Sequence, residues 1–209
     1  SWMEAFSVED LRFDAAIGTD ALLKLGRGEF AGAAAPARAV AERDRDHPML
    51  RFLLQEHRTP AEAVRKWRPP VEGAKRVNPN RPLIEALHCD RHGLRPESLS
   101  YISGPMRDGG GYQSTHAAWA LSLAHARGCL DDKTFKPIAE ALVDELVRAQ
   151  PVEFKPTTHL DVDLYAERVW ALYLLGRSAK VKGEWVEALL TQQRSDGSFG
   201  VEGEAEEPP

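Results

Sequence analysis

The sequence predicts an all-α protein, a partial α/α toroid or helical-repeat arch of nine or ten helices. Three observations carry that expectation. Helix starts recur along the chain while no stretch alternates as a strand would. Apolar residues return at helical spacing, as Ile138, Leu142 and Leu146 do at i, i+4 and i+8. A segment that begins Thr115-His116 and contains Trp119-Ala120-Leu121 is followed by one that begins Thr158-His159 and contains Trp170-Ala171-Leu172. Repeated helical units stack because each must bury its apolar face on a neighbour.

The N-terminal third, residues 1–67, holds short helices. Ser7-Val8-Glu9-Asp10 reads as a capping box. Thr59-Pro60 places a cap before a proline at the first helical position. Residues 68–82 are a Pro-rich loop. The stretch 83–200 is the better-patterned part, with helices expected from Leu83 to a stop at Gly93, over 115–127, 134–149, 158–175 and 184–193. Residues 201–209 form an acidic tail. The whole is taken as a single helical domain.

With 27 basic and 32 acidic residues the net charge is −5, which speaks against a dedicated nucleic-acid binder or an anionic membrane surface as partner. No run approaches the roughly 20 apolar residues of a membrane span. The cytoplasm is the default compartment and secretion the alternative. The two cysteines, Cys89 and Cys129, are expected as buried free thiols, with a single bridge as the alternative.

The segment "EWVEALLTQQRSDGSFG", Glu184 to Gly200, joins an aromatic, a Leu pair and Gln to Asp-Gly-x-aromatic-Gly. It resembles the QW-type repeats of terpenoid cyclases and protein prenyltransferases, and "RDGGGYQSTHAAWAL" is similar to the loop and inner helix of such a repeat. The resemblance spans residues 81–200 and implies the α/α toroid architecture. It does not carry those families' chemistry, because Asp161-Val162-Asp163-Leu164 is not their DxDD acid motif and their zinc ligands find no match. The Asp-Gly loops read as turns, with Gly supplying a positive φ and Asp a cap.

Thr158 as N-cap puts Asp161 at the reciprocal position of a capping box. His159, Asp163 and Glu167 then share one helix face at i, i+4 and i+8, continued by Trp170. On the other unit His116 shares a face with Trp119. If the two helices are adjacent and parallel, His116, His159, Asp163 and Glu167 meet at one end of a shared interior. His116, Glu167 and Asp163 are the candidate acid–base set, because histidine titrates near neutrality and carboxylates orient it. Asp108, Tyr112, Trp119 and Trp170 are the candidate ligand-binding residues. His116, His159 and Asp163 are the candidate ligands of a divalent metal. The expected function is a pocket protein, with or without catalysis, for a small or oligomeric polar ligand. The alternative is a non-catalytic helical-repeat module that binds a protein or peptide.

Overall fold

The structure, a computed structural model, describes Ala39 and residues 80–104, 111–194 and 199–201. The helices expected within residues 1–67, most of the Pro-rich loop and Asp108 lie outside the described residues. The chain divides into two compact units, Ser1–Lys66 with Glu207–Pro209, and Trp67–Glu206. Every element named below belongs to the second. Among the described residues all regular structure is helical, apart from one isolated antiparallel bridge between Gln193 and Phe199.

Helix α1 spans Asn80–Leu87 and buries Leu83, Ile84, Ala86 and Leu87 completely. The short α2, Cys89–His92, stops where Gly93 takes φ +74° and donates its N–H to the Cys89 carbonyl. That left-handed step is the reason for glycine there. Helix α3, Pro96–Ser103, has no counterpart among the expected helices. Its signal was present but short. Arg95 is extended, as a residue before proline must be, and Pro96 opens the helix where its missing N–H costs nothing. Ser98, Tyr101 and Ile102 are its buried residues, and only two of them are apolar, too few to make a hydrophobic pattern.

Helices α4, Tyr112–Ala126, α5, Asp132–Ala149, and α6, His159–Leu174, form the body of the unit. A 3-10 turn, Ser178–Lys180, leads to α7, Gly183–Leu190. The α4 helix touches α1, α3, α5 and α6. Its composition explains that central place. Ala117, Ala118, Ala120 and Ala124 are fully buried with Leu121, so small side chains face several neighbours and let their backbones come close. The α5 helix begins on Asp131, whose carboxylate accepts from the Thr134 N–H at 2.8 Å.

The contacts fix the helix directions. Ser114, near the start of α4, donates to Glu145, near the end of α5, while His125 at the other end of α4 meets Asp132 at the start of α5. These two helices are antiparallel. The α4 and α6 helices are parallel, since Tyr112 meets Asp163, Thr115 meets Glu167, and Ser122 donates to the Leu174 carbonyl at 3.1 Å.

Cys89 and Cys129 are bonded to one another, with Cα atoms 6.1 Å apart across 40 residues of sequence. The expectation of free thiols is corrected. One cysteine follows the C-terminal end of α1 and the other follows that of α4. Because these helices pack together, their ends coincide in space, and an Asp90–Arg127 ion pair at 4.0 Å accompanies the bridge. Sequence spacing carries no trace of that juxtaposition.

Candidate functional site

Thr158 starts α6 as a capping box. Its hydroxyl accepts from the Asp161 N–H, and the Asp161 side chain returns to the Thr158 N–H at 2.9 Å. The same carboxylate oxygen also accepts from the backbone and hydroxyl of Thr157. Asp161 is thereby committed to the helix end, where its charge opposes the positive pole of the helix. The donors hold its carboxyl at about 2, well below 3.8, led by the Thr157 backbone N–H and followed by the Thr157 hydroxyl and the Thr158 N–H.

The sign of the consequence follows from that depression. A carboxylate whose pKa is lower folded than unfolded stabilises the fold above its unfolded value and ceases to do so as pH falls through its folded value. Stability should therefore decline between about pH 4 and pH 2, with an Asp161→Asn variant showing a flatter decline in that window. Acid titration of helicity in both proteins checks this. Equal slopes would mean that Asp161 makes no such contribution.

Free of capping duty, the next carboxylates of α6 turn toward α4. Tyr112 donates to Asp163 at 2.7 Å and approaches the Leu160 carbonyl at 3.4 Å. Burial, and then the hydrogen bond to Asp163, push the Tyr112 phenol above its ordinary value, so it stays a donor. Thr115 donates to Glu167 at 2.5 Å and has a second acceptor, the Tyr112 carbonyl, at 3.0 Å. His116 places Nε2 3.6 Å from the other Glu167 oxygen, and its Nδ1 is buried without a hydrogen-bond partner among the described residues. The His116 ring stands edge-on to Trp119, and Trp119 meets Trp170 edge-to-face with centroids 4.8 Å apart.

The pairing runs at a constant offset of 51 or 52 positions. Trp119-Ala120-Leu121 and Trp170-Ala171-Leu172 therefore stand side by side. The Thr-His pairs do not. Glu167 occupies the level of His116, and His159 lies eight residues before it, roughly 12 Å along the helix. The Thr-His pairs are out of register because eight more residues, about two turns, separate His159 from its Trp-Ala-Leu than separate His116 from its own.

The structure thus brings together Tyr112, His116, Trp119, Asp163, Glu167 and Trp170, and leaves His159 apart. Among the described residues no three His, Cys, Asp or Glu side chains are gathered to hold a metal ion, and His116, His159 and Asp163 do not form such a set. Thr115 was missed. Its only sequence signal is its place beside His116, and its partner is legible only once the register is known.

The other flank of α6 holds a cavity of about 550 Å³, between that helix, α7 and Phe199. Val162, Ala166, Val186, Leu189 and Leu190 line it, with His159 and Asp163 on the α6 side. Asp163 therefore borders both places. The spacing of Val186, Leu189 and Leu190 at i, i+3 and i+4 was the available hint.

No protein-family model, no curated protein and no solved structure matches this chain.

Proposed function

We propose that the face shared by α4 and α6 binds a small or oligomeric polar ligand inside a partial α/α toroid. The parallel α4 and α6 with the antiparallel α5 between them in sequence support the toroid-like reading, since inner helices of such a repeat run one way and outer helices return. The observation that carries the binding reading is the buried, partnerless Nδ1 of His116 next to a carboxylate. A tie built only for stability saturates its polar atoms, because each unmet buried group costs free energy. A binding or catalytic role is one physical reason for such an exception.

The flanking chemistry names the ligand class. Trp170 is 42% exposed and Tyr173, one turn on, 54%. Aromatic surface beside two carboxylates suits a neutral oligosaccharide, whose C–H faces lie on indole while its hydroxyls donate to Asp163 and Glu167. Should the ligand be a substrate, His116 and Glu167 are the pair placed to move a proton. The bridge between Cys89 and Cys129 favours an oxidising compartment over the cytoplasm.

The exposed Leu160, Trp170 and Tyr173 favour a second reading, a helical-repeat module that binds a protein or peptide. Tryptophan fluorescence titrated with neutral oligosaccharides separates the two. The ligand reading expects saturable quenching that Trp170→Ala abolishes. An unchanged signal across a set of hexose and N-acetylhexosamine oligomers would favour the module.

A further inference from the structure

The cavity between α6 and α7 shares Asp163 with the polar site just described, but its lining is of a different kind. We infer that it binds a small amphiphile with a cationic ammonium head, the apolar body lying against α7 and the head against Asp163. This inference goes beyond the polar-ligand reading and does not depend on it.

Three observations support the assignment. The volume, about 550 Å³, falls in the range of roughly 300–1,000 Å³ that small-molecule sites occupy. The apolar lining is unusually open to solvent: Val186 is 38% exposed, Leu190 56% and Phe199 48%, so three of the exposed large hydrophobic side chains converge on one hollow. Covering them with an alkyl chain is favourable by the area removed from water. Among the described residues the polar part of the lining lies on α6, where His159 and Asp163 are one turn apart.

Charge decides the head group. The Tyr112 hydroxyl takes Oδ2 of Asp163, and Oδ1 accepts no hydrogen bond among the described residues. An ammonium can donate to that oxygen without displacing Tyr112. An anionic head would meet the carboxylate at close range. The positive pole of α6, which would otherwise attract an anion, is already matched by Asp161 in the capping box. Among the described residues no Lys or Arg lines the cavity.

The test uses n-octylammonium and octanoate, two probes that differ in the sign of the head. Each is titrated into the full chain while the methyl resonances of Val186, Leu189 and Leu190 are followed. The expected result is that octylammonium shifts these methyls saturably and binds at least about tenfold more tightly than octanoate, as a charge-assisted hydrogen bond implies. Asp163→Asn, which keeps the shape and the acceptor for Tyr112, should remove most of that preference. Leu190→Gln, at a half-exposed position that does not threaten folding, should weaken both probes. Octanoate binding as well as octylammonium would overturn the inference, as would an absence of methyl shifts with either probe. Shifts that instead follow protein concentration, with no probe added, would show that a second copy covers the hollow and would also overturn it. Asp163 is the one residue the two readings share; Trp170→Ala and Glu167→Ala test the polar-ligand reading and leave the cavity lining unaltered.

Discussion

Replacing Cys89 and Cys129 together by serine should lower the free energy of unfolding by about 4 kcal/mol, the loop-closure value for a bridge spanning 40 residues. The effect acts mainly through the unfolded chain, which gains freedom when the cross-link is gone. The loop it closes contains α3 and α4, and α4 touches α1, α3, α5 and α6. Freeing its C-terminal end should therefore be felt throughout the unit. Urea unfolding of the oxidised protein, of the same protein under reductant, and of the double variant gives the comparison. The reduced protein and the variant should coincide, both less stable than the oxidised form. A difference under about 1 kcal/mol, with free sulfhydryls titrating in the denatured oxidised sample, would contradict the bridge.

The sequence made the local structure legible where one helix explains itself. Thr158 with Asp161 announced a capping box, Gly93 announced a stop, and the periodic leucines of α5 announced a buried face. It was less informative for α3, where a proline start and two buried apolar side chains do not amount to a hydrophobic period. Relations between helices were legible only in part. The two Trp-Ala-Leu segments suggested that α4 and α6 lie side by side, and the Trp119–Trp170 contact has that register. The matching Thr-His pairs suggested a meeting of His116 and His159, but the two pairs stand at different distances from their Trp-Ala-Leu, three residues in α4 and eleven in α6. The disulfide failed for the same physical reason. Which helix ends coincide depends on packing among elements far apart in the chain, and two isolated cysteines carry no spacing from which to read it.

Glu167 is where binding and structural roles lead to opposite expectations. Its side chain is 22% exposed, accepts from Thr115 and faces His116. As a ligand-binding group it should be cheap to remove from the fold. The Thr115 hydroxyl can turn fully to the Tyr112 carbonyl, 3.0 Å away, and His116 already leaves one nitrogen unpartnered. Glu167→Ala should then cost about 1 kcal/mol or less, the net worth of one hydrogen bond with an alternative acceptor nearby. Affinity for the oligosaccharide should fall ten- to hundred-fold, roughly the loss of a charge-assisted hydrogen bond of about 1.5–3 kcal/mol. As a buried tie between α4 and α6, the same residue should cost on the order of 3–5 kcal/mol, because its partner would be left uncompensated. Denaturant unfolding of Glu167→Ala beside the unaltered protein measures the difference directly. The binding-face account predicts midpoints that nearly coincide. A loss of several kcal/mol would contradict it and make the carboxylate part of what holds the two helices together.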